Sequence, residues 1–213
     1  MSENGLPGEW KLSDLQNNKD WIIELNKHDQ KEIIDATTFS LKSTKALIDL
    51  KASDFPISTF QRKIEAAKVQ LKTGLGFVLL RNLPVNQFND DEVKVMFWGL
   101  GQYLGHPEPQ DKAGSLLHVV TDTGAKVKNS DNVRGFQTNQ ELQFHTDGGD
   151  VFGLLCVRAA KRGGLSKLVS SVAIFNEIES LRPDLAIELQ EGFHFDLSLM
   201  HISEPTRQAS IAY

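Results

Sequence analysis

Between residues 116 and 172, short apolar runs alternate with turn-forming glycine pairs, and this pattern constrains the fold more than any other feature of the chain. Short apolar runs bounded by turn residues are typical of buried strands. The predicted strands cover residues 116–121, 142–147, 151–158 and 167–172, with Gly148-Gly149 and Gly163-Gly164 between the later ones. Several short strands in succession favour a sandwich, a barrel or a jelly roll over a doubly wound sheet.

The first 75 residues differ from this part of the chain, because they are polar and mostly helical in pattern. Apolar residues at helical spacing predict a helix over residues 59–72, with Ser58 as its N-cap and Gly74 as its end. The apolar run 76–83 predicts a buried strand that Pro84 ends.

Two further helices are expected, from Asn89 to about Tyr103 and over residues 176–189, with a proline-containing loop at 105–110 between the first of them and the strands. The predicted fold class is therefore mainly β with helices (α+β). A helical region at 1–75 precedes a β-rich domain at 76–196.

Charge and cysteine content exclude several classes of function. The net charge is −5 and the isoelectric point is near 5.7, so no basic field is present to bind nucleic acid or an anionic membrane. The single cysteine, Cys156, excludes an intrachain disulfide and a Cys-rich zinc module, and its apolar neighbours predict that it is buried. We expect a cytoplasmic protein, because the polar N-terminus lacks a secretory signal and no apolar stretch is long enough to span a membrane.

The candidate metal ligands are His-x-acid pairs, because residues i and i+2 of a strand point to the same face. An imidazole and a carboxylate side by side, with a distant second histidine, form the facial triad of non-haem iron(II) oxygenases. With 6 histidines and 28 acidic residues, about 0.8 matches are expected by chance. Three occur, at His106-Pro107-Glu108, His145-Thr146-Asp147 and His194-Phe195-Asp196.

Context favours the second pair. His106 precedes a proline in a loop, and the neighbours of His194 indicate a hydrogen-bonded strand histidine rather than a ligand. His145 ends an apolar strand and leads into Gly148-Gly149, where the backbone can approach a ligand closely. The later Gly163-Gly164 turn delivers Ser166 into the next strand, where its hydroxyl is suited to a ligand carboxylate, although a hairpin turn with an incidental serine would look the same.

Taken together, several segments resemble the TauD/TfdA-like family of Fe(II)/2-oxoglutarate-dependent dioxygenases, in the clavaminate-synthase-like superfamily. The resemblance runs in order from about residue 55 to 196. The segments that carry it are GFVLLR at 76–81, Gly105 with Gln110, Arg134-Gly135, FHTD at 144–147 and GGLS at 163–166.

The resemblance implies a double-stranded β-helix (jelly roll) with helices packed outside, here an incomplete one. It implies Fe(II) bound by His145 and Asp147, and 2-oxoglutarate bound with help from Ser166. Oxygen and a small-molecule substrate complete the expected partners, and succinate and CO2 are the expected coproducts. The polar residues before the metal-binding strand are weaker candidates to face the substrate: Gln137, Asn139 and Gln143.

The expected third metal ligand and the arginine that binds 2-oxoglutarate have only His201 and Arg207 as candidates. Both lie in a segment, LSLMHISEPTR at 197–207, that agrees at every position but one with a translated sequencing adapter, LSLIHISEPTR. We therefore expect native sequence to end near Asp196, with 197–213 a non-native tail. His201 is a ligand only if this tail is native, and we expect the fragment to be inactive without a third ligand.

Two alternative functions stay open at this point. One is a non-catalytic jelly-roll binding module that kept the fold without the metal. The other is a metal-dependent hydrolase that uses His-x-Asp with zinc, which is disfavoured because the sequence shows no second His/Asp cluster to build such a site.

Overall fold

The computed structural model of the chain describes residues 6–111, 113–121 and 144–192. The chain divides into two compact units, the first made of Met1–Pro107 with Asp150–Leu181 and the second of Glu108–Gly149 with Arg182–Tyr213. Within the described ranges, no helix is both long enough and apolar enough to cross a membrane.

The regular structure of the described residues is mostly helical. The α-helices are α1 (Leu12–Asn17), α2 (Lys27–Ser40), α3 (Gln61–Thr73), α4 (Asp90–Gly101), α5 (Ser171–Leu181) and α6 (Pro183–Leu189), and short 3-10 helices lie at Leu47–Asp49, Ala52–Asp54 and Val85–Gln87. Strand β1 (Ile22–Glu24) pairs in parallel with β2 (Leu79–Arg81), with Ile22 opposite Leu79. This sheet is the only one in the part of the chain that the structure describes.

Helix α4 confirms the prediction of a helix that begins after Asn89. The Asn89 side chain accepts hydrogen bonds from the backbone N–H groups of Asp91 and Glu92, each at 3.0 Å. The Glu92 carboxylate in turn accepts the backbone N–H of Asn89 at 2.9 Å. This reciprocal arrangement is a capping box, which satisfies N–H groups that have no partner inside the helix.

Helix α3 also lies close to its predicted bounds and ends at Gly74 as predicted, but the expectation that Ser58 caps it is wrong. The N-cap is Phe60, whose side chain makes no capping hydrogen bond. The cap comes instead from Glu32 of α2, half-buried, whose Oε1 accepts the backbone N–H groups of Ser58 and, at 2.9 Å, of Thr59. Glu32 Oε2 accepts the Thr59 hydroxyl at 2.5 Å and the Phe60 N–H at 3.0 Å.

These contacts change the acidity of Glu32. Burial alone would raise the pKa of its carboxyl, but the hydrogen bonds from Thr59, Ser58 and Phe60 favour the charged form more strongly and lower the pKa from 4.5 to about 2. A carboxylate at the N-terminal end of a helix is further favoured by the helix dipole.

The hydrophobic core of the first unit lies between α2, α3 and α4. Its buried side chains come from all three helices, from the segment that joins α2 to α3 and from the residue after β1: Leu25, Ile33, Ala36, Phe55, Ile57, Phe60, Ile64, Val93, Met96 and Leu100. The Tyr103 hydroxyl reaches into this joining segment, 2.8 Å from the carbonyl oxygen of Phe55 and 3.1 Å from that of Ala52. Burial of apolar surface here stabilises the unit, at roughly 25 cal/mol per Å² removed from water.

The strands predicted between residues 116 and 172 are wrong for the described residues, which form no strand there, and residues 171 and 172 belong to α5. A strand requires a hydrogen-bonded neighbour, and an apolar run is buried only when another layer covers it. Instead, Phe152 is 57% exposed, Leu154 72% and Leu165 87%, and Cys156, predicted to be buried, is exposed as well. Leu155 alone of residues 150–160 packs against the core.

Two other predictions differ in extent. The strand expected at 76–83 is only the three residues of β2, and Leu79 at its start is 40% exposed. The helix expected at 176–189 is two helices, α5 and α6, because Arg182 before Pro183 has non-helical φ and ψ of −145° and 69°. A residue before proline is disfavoured in the α region, whereas proline itself suits the first position of a helix.

We predict that Glu32→Ala lowers the free energy of unfolding by about 1–2 kcal/mol at neutral pH, because the first turn of α3 loses its cap. Since the pKa is lowered from 4.5 to about 2, this contribution is complete above pH 4.5 and is lost as the pH falls toward 2. The difference between wild type and variant, measured by urea unfolding, should therefore shrink over that range.

Asp35→Ala is the matched control, because exposed Asp35 makes an ion pair with Lys31 at 2.7 Å in the same helix and caps nothing. Its loss should cost at most about 0.5 kcal/mol. Equal losses for the two variants, or a Glu32 difference that does not change with pH, would contradict the capping role.

A second prediction concerns two glycines of α4. A Cβ on Gly99 would lie 2.1 Å from Cδ2 of the fully buried Phe55 ring, whereas a Cβ on Gly101 would meet nothing within 4 Å. Gly99→Ala should destabilise the chain by about 1–3 kcal/mol through overpacking. Gly101→Ala should be neutral or stabilising by up to about 1 kcal/mol, because alanine favours the helix. Thermal unfolding of both variants tests this, and a stable Gly99→Ala protein would argue against the close contact.

Candidate functional site

His145 and Asp147 lie in the second unit, in a segment without helix or strand. Both side chains are exposed, so an ion in solvent can reach them. Gly148 beside them has no positive φ, and the space where a Cβ would stand is open to at least 4 Å. The backbone therefore does not require glycine at this position, but the open space leaves room for a ligand.

The second unit contains another histidine–carboxylate pair, which the sequence analysis did not identify. His118 Nε2 lies 3.2 Å from Asp111 Oδ2. Asp111 Oδ1 accepts the backbone N–H groups of Ala113 at 2.8 Å and Ser115 at 3.0 Å. The hydrogen bond from Ser115, and more weakly the nearby His118, lower the pKa of the Asp111 carboxyl.

The turn at Asp111 is a sequence signal that could have drawn attention to this pair. Aspartate followed by Gly114-Ser115 is a pattern in which a carboxylate binds backbone N–H groups of its own turn. No sequence signal indicated that His118 would lie close to Asp111. Across the described residues, no group of three or more His, Cys, Asp or Glu side chains is arranged to hold a metal ion.

Ser166 belongs to the first unit and its side chain is exposed. Gly163 and Gly164 before it have φ values of +75° and +71°, in the left-handed region that residues with a side chain rarely adopt. A Cβ on Gly164 would also lie 3.1 Å from the Cβ of Ala160. The turn that precedes Ser166 therefore depends on both glycines.

The other candidate residues lie either in the predicted loop at 105–110 or outside the described residues. His106 and Glu108 are exposed in the predicted loop. The candidates outside the described residues are Gln137, Asn139, Gln143, His194, Asp196, His201 and Arg207, together with Arg134-Gly135.

Comparison with known families gives a match over residues 40–209 to the family described as "Taurine catabolism dioxygenase TauD, TfdA family". The match covers most of the chain and includes FHTD at 144–147 and GGLS at 163–166, so the chain belongs to the TauD/TfdA family of dioxygenases. It also extends through residue 209, into the segment predicted to be a non-native tail, and the boundary near Asp196 stays a prediction.

Two relatives are similar over most of the chain. FR-33289 synthase of Streptomyces rubellomurinus is 27% identical over 187 residues, 88% of this chain and 55% of that protein. The taurine hydroxylase-like protein SAT17 of Stachybotrys chartarum is 26% identical over 193 residues, 88% of this chain and 50% of that protein. The chain thus spans about half the length of these relatives.

We predict that Gly164→Ala lowers the free energy of unfolding by about 1–2 kcal/mol, because the added methyl group meets both a left-handed backbone and Ala160. Gly148→Ala is the control, since neither constraint applies there, and its effect should stay within about 0.5 kcal/mol. Chemical denaturation measures both. Equal effects at the two glycines would contradict the geometry of the turn.

Proposed function

We propose that the protein is an Fe(II)- and 2-oxoglutarate-dependent oxygenase that oxidises a C–H bond of a small molecule. The observation that carries the proposal is the family match, which contains His145-x-Asp147 and, after a left-handed glycine pair, Ser166 in the expected order. The jelly-roll core is part of this proposal.

The donor set of the His145–Asp147 segment suits the ion. One imidazole and one carboxylate, both exposed, are the ligand types that the facial triad combines. When bound, the ferrous ion and 2-oxoglutarate supply oxygen activation, with oxidation of 2-oxoglutarate to succinate and CO2 coupled to oxidation of the substrate C–H bond.

The residues of the chain have separate roles in this proposal. His145 binds the metal through a neutral ring nitrogen, so protonation of the ring competes with metal binding. Asp147 contributes negative charge that offsets part of the charge of the ion. The Ser166 hydroxyl donates a hydrogen bond to a 2-oxoglutarate carboxylate, a charge-assisted interaction stronger than one between neutral groups.

A third ligand is needed for activity, and His201 holds that role only if residues 197–213 are native. Gln137, Asn139 and Gln143 are proposed to face the substrate. We also propose that the protein has no nucleic-acid partner, from the acidic charge balance of the sequence, and that it is cytoplasmic, because a reducing compartment suits a ferrous site.

Ligand-dependent thermal unfolding tests the proposal, because a ligand that binds only the native state raises its stability. Manganese(II), a stand-in for iron(II) that is stable in air, together with 2-oxoglutarate should raise the melting temperature by about 2–4 °C for each kcal/mol that binding adds to the free energy of unfolding. His145→Ala should remove the shift. His106→Ala is the matched control, a histidine of another His-x-acid pair, and should keep it.

The alternative functions predict other outcomes. A shift with zinc alone but none with manganese and 2-oxoglutarate would favour the hydrolase. No shift with either metal would favour the binding module. A shift that persists in His145→Ala would contradict the assigned ligand.

A further inference from the structure

The segment at residues 6–11, which we call the N-terminal strap, lies outside the residues that match the family and is held at several points in the first unit. The Gly8 N–H donates to the carbonyl oxygen of Gly74 at 2.8 Å, and the Trp10 indole N–H donates to that of Leu75 at 2.9 Å. The Trp10 ring also packs edge-on against Phe77 at 5.2 Å. The strap is therefore fixed to the chain between α3 and β2.

A buried serine connects this strap to a distant part of the sequence. The Ser170 hydroxyl donates to the carbonyl oxygen of Gly8 at 2.6 Å across 162 sequence positions, and it accepts the backbone N–H of Ala173 at 2.9 Å. Ser170 is only 4% exposed. One hydroxyl thus binds the strap and caps the first turn of α5, and its loss would leave the carbonyl oxygen of half-buried Gly8 without this donor.

Ser170 is also the buried residue closest in sequence to Ser166. Every residue from 156 to 169 is exposed, so Ser170 is the first buried side chain after the turn that presents Ser166. Upstream, the left-handed Gly163-Gly164 pair fixes the direction of the chain. Downstream, four residues separate Ser166 from the hydrogen bond between Ser170 and Gly8.

We infer that the N-terminal strap, acting through Ser170, positions Ser166 for 2-oxoglutarate binding. Ser170 is then a positioning residue, because it acts through the backbone of residues 166–170 and not by contact with the cosubstrate. The inference rests on the proposed function, in which Ser166 binds 2-oxoglutarate. Ser170 lies outside the matched motifs, and the N-terminal strap lies outside the matched range. We assign both of them a role in the affinity for 2-oxoglutarate.

Two variants separate the strap from the helix cap. Ser170→Ala removes both hydrogen bonds of the hydroxyl. Gly8→Ala keeps Ser170 and its cap but strains the strap, since Gly8 has a φ of +79° and its added methyl group would make only an ordinary 3.7 Å contact with Val172. Gly114→Ala is the matched control, because Gly114 has a φ of +80°, open surroundings and a place in the other unit.

The experiment uses the 213-residue chain and two measurements: hydrogen exchange of the amides at 163–169, and the dissociation constants of manganese(II) and of 2-oxoglutarate at saturating manganese(II). Ser170→Ala and Gly8→Ala should both speed exchange at 163–169. They should weaken 2-oxoglutarate binding by about 3- to 10-fold, because both disturb the single hydrogen bond between Ser170 and Gly8, with manganese(II) affinity unchanged. Gly114→Ala should change none of these quantities.

Three results would overturn the inference. Unchanged exchange at 163–169 in both variants would show that the strap does not order this segment. Faster exchange with unchanged 2-oxoglutarate affinity, when Ser166→Ala does weaken that affinity, would show that the ordering does not reach the cosubstrate. If Ser166→Ala itself leaves 2-oxoglutarate binding unchanged, or if 2-oxoglutarate does not bind, the proposed role of Ser166 fails and the inference fails with it.

Discussion

The carboxylate of Glu32 joins α2 to the start of α3, because it supplies the hydrogen-bond acceptors that the start of α3 lacks. With that helix end satisfied, Phe60 and Ile64 pack into the core opposite α4. Backbone atoms at the other end of α3 then receive the N-terminal strap, through the bond from Gly8 to Gly74. In the strap, the carbonyl oxygen of Gly8 in turn accepts the hydrogen bond from the Ser170 hydroxyl. Successive contacts therefore connect half-buried Glu32 to Ser170, four residues after Ser166, the candidate residue for 2-oxoglutarate binding.

Helices α3 and α4 could be predicted because their signals are local. Asn89 with Glu92 marks the start of α4, and Gly74 marks the end of α3, within a few residues of sequence. The cap of α3 could not be predicted, since Glu32 lies 26 positions before Ser58 and nothing in the spacing connects them. Strand β1 was missed for a similar reason, because three residues carry no periodicity and the strand exists through its pairing with β2. The runs after residue 116 have strand-like composition, but composition does not supply the neighbouring strand that a sheet requires.

The candidate site, too, has features that the sequence predicts and features that it does not. The identity of His145, Asp147 and Ser166 as candidates follows from context and family likeness, and the left-handed turn at Gly163-Gly164 agrees with the expectation of a tight turn. The pair of Asp111 with His118 and the bond between Ser170 and Gly8 depend on folding that brings distant residues together, and neither spacing nor composition predicts such contacts. The relatives, of which the chain covers about half, support the family of the chain and leave the substrate to be determined on the protein itself.

The central claim is that His145 and Asp147 bind the metal, and the dissociation constant of manganese(II), followed by electron paramagnetic resonance of the free ion, tests it most directly. The comparison is between wild type and Asp147→Asn, which keeps the shape of the side chain and removes its charge. Our account predicts that the variant binds manganese(II) about tenfold more weakly or worse, as expected when a ligand or its orienting group is lost. Equal affinities in the two proteins would contradict it.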